Sequence, residues 1–460
     1  MKKLIGIIFF LASITANSQE NNYKINIELN GFNDSVYYLV SYYADKFLII
    51  DTSAKFTNDI EFSDKKLLPG GMYILAGEKM NKYFEFIIDK DQQFKISVSS
   101  NEMIESLNCI GSKENEQFFG YLKFSKAAFE KSKQFQEKLT SSKDITETNQ
   151  LNESLKAIQK EITEYKNTFV KKYPNALLSK IFSGMQEPEI DQMLPMQEKY
   201  NIFKSQYWKT IDLTDSRMIR TPILQNKLTT YFDKIIVQQP DSLILEIDRL
   251  LNQPMAEEIT NHFIWYLTLK YEYPDIMGLD KVFVHMVNDY FLTKKITGLS
   301  PSILENIEKR AKKISRVLIG EKAPDLIMMD TSNKVQTLYN VSADYTLVLF
   351  WDQECQTCQK EIKLLKEFLV EDTCNIKIFA VGTDSKLTDW KKYILLNELN
   401  WIHVNGTQSL SEDYHELYDI YSTPTIYLLD RNKKIIAKRL AVKQIKDFIL
   451  NYEKEIKTLN

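Results

Sequence analysis

The chain has 460 residues, enough for about three domains at roughly 150 residues each, and its 44% hydrophobic content can supply a core to every one of them. Fifty-nine basic against 62 acidic residues give a formal net charge of -3, which indicates no basic face for nucleic acid and no polybasic segment for anionic lipid. Four cysteines are too few for a stabilising disulfide framework in so long a chain, so each is read by itself.

Residues 1–18 follow the order of a secretory signal: Lys2 and Lys3, an apolar run over 4–12, then Ala16 and Ser18 flanking Asn17. That run is too short to span a bilayer, and no apolar stretch of about 18 or more follows, so the expectation is a soluble periplasmic protein of the cell envelope without membrane insertion. Residues 19–112 form the next expected domain. Short β-rich runs at 23–29, 35–41, 47–51, 72–76, 83–88 and 94–98 are broken by turn residues, predicting a small antiparallel β-sandwich.

From Ser112 the apolar residues fall at helical spacing, as with Phe118, Phe119 and Leu122, then Leu155, Ile158 and Ile162. Further helices are predicted over 223–237, 241–251, 258–271, 280–293 and 301–317, with Pro222, Pro240, Pro274 and Pro301 at boundaries where proline is tolerated. The reading is an α-helical middle domain over 113–315. Beyond it, apolar strands at 345–351 and 376–381 alternate with amphipathic helices at 356–369 and 388–399. A hairpin, 425–429 with 435–440, and a last helix over 442–459 complete an α/β domain with a mixed sheet over 316–460.

Cys355-Gln356-Thr357-Cys358 lies where the strand ending at Trp351 gives way to a helix. Unpaired N–H groups and the positive dipole end at a helix start stabilise a thiolate, making Cys355 the expected nucleophile. Cys358, one turn on, is placed to resolve a mixed disulfide formed at Cys355. Half of a zinc site is the rival, but it needs two more ligands and only His403 and His415 are at hand; an inert structural disulfide is another.

Three motifs in order, Gly320-Glu321-Lys322-Ala323-Pro324-Asp325, then Phe350-Trp351 through Cys355-Gln356-Thr357-Cys358 to Glu361, then Ser422-Thr423-Pro424-Thr425, resemble the TlpA/ResA family of thioredoxin-like proteins. The resemblance covers residues 316–460. It implies a thioredoxin-like fold, a thiol-disulfide oxidoreductase active in cell redox homeostasis, and a redox-active disulfide between Cys355 and Cys358. It further implies that Pro424 is cis and faces the pair, that Thr423, Pro424 and Trp351 contact substrate, and that Glu361 relays a proton for Cys358. Protein disulfides would be the substrates and a membrane thiol reductant the electron source, with no metal or other cofactor. The chain departs from the family in having Glu354 before the first cysteine, Gln356-Thr357 between the pair, and Leu349 where ordinary thioredoxin has a buried Asp. Glu354 is expected to oppose the thiolate. The β-rich and helical segments ahead of this domain resemble those of exported proteins from gut-type Gram-negative bacteria.

Glu361 can equally be a solvated helix residue. Cys109 and Cys374 read as small buried hydrophobes in preference to a bridge, the Tyr and Phe stripe of the helical domain as core, and His262 and His285 as packed, hydrogen-bonded histidines. The alternative from another class is a cell-envelope binding protein whose thioredoxin module does no chemistry.

Overall fold

A computed structural model describes residues 22–53, 59–370, 374–383 and 386–459. The expected secretory segment 1–18 lies outside the described residues. The chain divides into two compact units, Met1–Tyr231 and Phe232–Asn460.

The first unit begins with strands β1 (Tyr23–Asn30), β2 (Tyr38–Tyr43), β3 (Lys46–Thr52), β4 (Asp59–Asp64), β5 (Gly71–Ala76), β6 (Lys82–Ile88), β7 (Gln93–Ser99) and β8 (Asn108–Ile110). They form two four-stranded sheets, β4-β1-β7-β8 and β3-β2-β5-β6. Alternation along β1 and β7 turns Ile25, Ile27, Phe94 and Ile96 inward. Phe94 of one sheet meets Phe86 of the other edge-on, with ring centroids 6.1 Å apart. The pairings are antiparallel except that of β1 with β7, which is parallel; the purely antiparallel expectation overlooked it because alternation reads the same for either direction.

After a short turn of helix, α1 (Met103–Ser106), come α2 (Lys113–Ser141), α3 (Ile145–Lys172), α4 (Leu177–Gly184), α5 (Met196–Gln206) and α6 (Pro222–Thr230). Ser112 caps α2 by accepting from the Asn115 N–H. The buried Asn115 amide then both accepts from the Ile87 N–H and donates to the Ile87 carbonyl, each at 2.7 Å, so α2 completes the hydrogen bonding of β6. Phe124 stacks on Tyr165 at 4.8 Å, which joins α2 to α3.

In the second unit, α7 (Pro240–Leu251), α8 (Glu257–Glu272), α9 (Asp280–Met286) and α10 (Pro301–Ser315) come first. Leu243, Ile247 and Leu250 on α7, and Ile259, Phe263 and Leu267 on α8, are the buried stripes that the helical spacing predicted. His285 bonds Asp248 and Asp289, each at 2.8 Å.

Strands β9 (Ile327–Asp330), β10 (Val335–Thr337) and β11 (Tyr345–Trp351), helix α11 (Gln356–Val370), β12 (Ile376–Gly382), α12 (Leu387–Leu396), β13 (Ile402–Ser409), the short α13 (Tyr414–Leu417), β14 (Thr425–Leu429), β15 (Ile435–Lys438) and α14 (Val442–Leu459) follow. They build a mixed sheet in the order β10-β9-β13-β12-β11-β14-β15, with β11, β12 and β13 parallel. Central β11 is buried throughout: Leu347, Leu349 and Trp351 enter a core shared with Ile362, Leu365, Ile445 and Ile449, while Val348 and Phe350 enter another with Tyr414, Tyr418 and Tyr427. Strand β13 escaped the sequence reading because Asn405-Gly406 looks like a turn. There the side chain of Tyr414 comes so close to Gly406 that a Cβ would lie 2.4 Å from its ring. Among the described residues no helix is long and apolar enough to cross a membrane.

Two of these first helices, α9 and α10, are tied to the strand-bearing segment that follows them. Lys438 on β15 is buried against the Asp280 carboxylate of α9 and donates to the Val317 carbonyl at 2.8 Å. Arg310 on α10 reaches the buried Asp419 carboxylate, and Asp419 also accepts from Arg439 at 2.6 Å.

Candidate active site

The loop from β11 to α11 makes Cys355 the N-cap of that helix, because the Cys355 carbonyl accepts from the Gln359 N–H at 3.0 Å. Its sulfur accepts from the Cys358 N–H at 3.3 Å and lies 3.4 Å from the Thr423 carbonyl, to which the protonated thiol donates. Burial works against ionisation of Cys355, but hydrogen bonds from the Cys358 thiol and N–H outweigh it, and the thiol titrates below its ordinary value. Cys358 is fully buried in the apolar core beside Leu349; that burial first, and then the neighbouring Cys355, push its thiol up. The two thiols are unequal: one half-buried and readily ionised, the other enclosed and protonated.

The third motif is carried to the cysteines by strand register. Phe350 pairs with Thr425 in the antiparallel β11–β14 ladder, so Pro424 stands next to the loop that follows Trp351. The Thr423–Pro424 bond is cis. Trp351 is wholly buried, against Tyr393 at 5.6 Å and His403 at 6.0 Å, and offers no surface to a docked peptide. The substrate contact expected of it came from its place in the motif; both faces of β11 are covered, so the ring is packed into the core instead.

Glu361 is half-buried, and its carboxylate accepts from the Val442 N–H at 2.9 Å, at the start of α14. There the Gln444 side chain also accepts from the Ala441 N–H at 3.0 Å, so two side chains satisfy the first amides of that helix. Replacing Glu361 with Ala is expected to cost about 1 kcal/mol, read as a lower denaturant midpoint, whereas Glu361→Gln keeps the acceptor and most of the stability. Glu354 pairs with Lys386 at 2.6 Å on the surface, so its charge does not act on Cys355 alone.

Thr357, Glu361, Thr423 and Pro424 line a cavity of about 550 Å³. Tyr273, Asp419, Tyr421 and Arg439 line it as well, and sequence reasoning missed all four. Tyr421 stands three residues before Pro424 and could have been found by extending the third motif, whereas nothing in the sequence ties Tyr273 to this surface. Cys109 is buried in β8, where burial pushes its thiol up to about 12, and Cys374 packs half-buried against the core around Cys358; among the described residues neither is in a disulfide. His403 is enclosed by aromatic rings, and burial pushes its imidazole down to about 4.

Residues 343–435 match the family model described as thioredoxin-like, and residues 135–316 match a domain of unknown function (DUF5106). The thiol-disulfide oxidoreductase ResA of Bacillus cereus is 22% identical over 144 residues, which cover 31% of this chain and 80% of that protein. A domain of a "possible thiol-disulfide isomerase" from Cytophaga hutchinsonii is 40% identical, covering 31% of this chain and 97% of that one, with a TM-score of 0.29. The thioredoxin domain of a thiol-disulfide oxidoreductase from Bacteroides vulgatus is 30% identical over 30% of this chain and 98% of that one, with a TM-score of 0.26. The chain carries a C-terminal thioredoxin-like domain and belongs with the thiol-disulfide oxidoreductases of that family.

Proposed function

We propose that this protein is exported to the periplasm and reduces or isomerises protein disulfides through Cys355 and Cys358. The Cys355 thiolate attacks one sulfur of a substrate disulfide, and the other substrate sulfur leaves as a thiolate that takes up a proton. Cys358 then loses its proton, attacks the Cys355 sulfur of the mixed disulfide and expels the second substrate thiol. Two electrons pass to the substrate, the pair ends as a Cys355–Cys358 disulfide, and a membrane thiol reductant restores the dithiol. Thr423 and Pro424 border the attacked sulfur, and Glu361 is the base that relays the Cys358 proton. Glu361→Gln tests that role, because slower resolution at unchanged stability separates proton transfer from helix capping.

The observation that supports the reading best is the inequality of the thiols: Cys355 caps a helix and is half-buried, with its sulfur against the carbonyl of Thr423, a residue that lines the cavity, while Cys358 is fully buried. The test is capture of covalent partners in the periplasm. A Cys358→Ser variant is expected to accumulate mixed disulfides that a Cys355→Ser variant does not, and the wild type to reduce insulin in the presence of a dithiol. Absence of both captured partners and insulin reduction would leave the thioredoxin-like domain without a chemical role.

A further inference from the structure

The cavity beside Cys355 is not made by the thioredoxin-like segment alone. Tyr273, directly after α8, lines the same space as Thr357, Thr423 and Pro424, and its ring meets that of Tyr421 edge-on at 5.4 Å. Both residues are more than half exposed, at 53% and 57%. Large aromatic surface left in water at a pocket costs solvation that a ligand can recover, and such residues recur as binding anchors.

This pair is also fixed in advance. The Arg310 guanidinium lies 4.9 Å from the Tyr273 ring centre and 4.5 Å from that of Tyr421. Arg310 is itself held by Glu272 at 3.0 Å and by the buried Asp419 carboxylate. Rings positioned before a ligand arrives lose little freedom on binding it. The charged residues lining the cavity are Glu361, Asp419 and Arg439; counting Arg310 behind the rings, two carboxylates face two guanidiniums and the formal sum is zero. Nothing there selects an anionic ligand. A cavity of about 550 Å³ lies within the usual 300–1,000 Å³ range of ligand pockets and exceeds what a bare disulfide fills.

We propose that Tyr273 and Tyr421 are specificity-determining residues that grip an uncharged aromatic or large apolar side chain next to the substrate cysteine. The preferred target is then a polypeptide disulfide of the kind exposed by an unfolded chain, over a small anionic one such as glutathione disulfide. This inference rests on the reading in which Cys355 attacks disulfides.

The test follows oxidation of the reduced full-length protein by three compounds: a cystine-bridged peptide with Phe beside each cysteine, the same peptide with Ser in that place, and hydroxyethyl disulfide. The wild type is expected to prefer the Phe peptide to the Ser peptide by about tenfold, and Tyr273→Ala and Tyr421→Ala each to lose about tenfold on the Phe peptide through KM. Their rates with hydroxyethyl disulfide should stay within about twofold of wild type, and since both residues are largely exposed the variants should fold. Equal wild-type rates on the two peptides, unchanged Phe-peptide rates in both variants, or a parallel loss on hydroxyethyl disulfide would overturn the proposal while leaving disulfide chemistry standing. A wild type that reacts with none of the three compounds would remove both.

Discussion

Iodoacetamide is expected to label the reduced protein at Cys355 with a pH midpoint below the free-thiol value of about 8.5, and to label Cys358 at least about a hundredfold more slowly. The first half follows from two hydrogen bonds to the Cys355 sulfur that outweigh its partial burial and favour the anion. The second follows from the complete enclosure of Cys358, which denies access to the reagent and disfavours the charged form. The sign is definite. Thiolate at Cys355 persists as pH falls below the free-thiol midpoint and is lost only through the lower Cys355 midpoint, so the rate of first attack should level off on the neutral side of an ordinary thiol. Peptide mass mapping across a pH series measures both sites, and Cys355→Ser should remove the fast label. Equal labelling of the two cysteines, or an ordinary midpoint at Cys355, would contradict the asymmetry on which the proposed mechanism depends.

Asp419→Ala should cost about 3–5 kcal/mol, the range seen when one member of a buried ion pair is deleted. Asp419 is 3% exposed and carries two guanidiniums, Arg310 from α10 and Arg439 just after β15. Deleting the carboxylate leaves Arg310, whose side chain is 13% exposed, with Glu272 as its remaining charged partner among the described residues, and frees the rings it steadies. Urea titration of the full chain reads the loss. Asp419→Asn should fall between wild type and Ala, because its amide keeps a carbonyl acceptor for one arginine while its NH2 group faces the other. A loss under about 1 kcal/mol for Asp419→Ala would mean that water already screens the triad.

The sequence made the cysteine site legible because local rules govern it. A strand that is apolar throughout, a turn and an amphipathic helix specify where Cys355 stands, and helix-end chemistry follows from that place. Glu361 was undecided because its partner, the Val442 N–H, is 81 positions away in the chain, and no helical neighbour reveals it. Trp351 shows the limit of motif reasoning: its motif suggested contact with substrate, while β11 is covered on both faces and leaves the ring no exposed side. Tyr273 was hidden for a different reason. A tyrosine at the end of an amphipathic helix has the same sequence signature whether it meets another helix or a catalytic surface. Helical spacing likewise predicted the helices α7 and α8 without saying that α9 would join the sheet through Asp280–Lys438 or that α10 would join the segment before β14 through Arg310–Asp419.

The enclosure of His403 gives the protein an internal optical reporter. Trp351, Trp390 and Trp401 surround an imidazole that burial keeps uncharged down to about pH 4, so their fluorescence should not drift with histidine titration across the neutral range. Of the five tryptophans, Trp265 also belongs to Phe232–Asn460 and only Trp208 to the other unit. Indole emission from the intact chain therefore reports mainly on the unit that carries Cys355, so its unfolding can be followed without cutting the polypeptide.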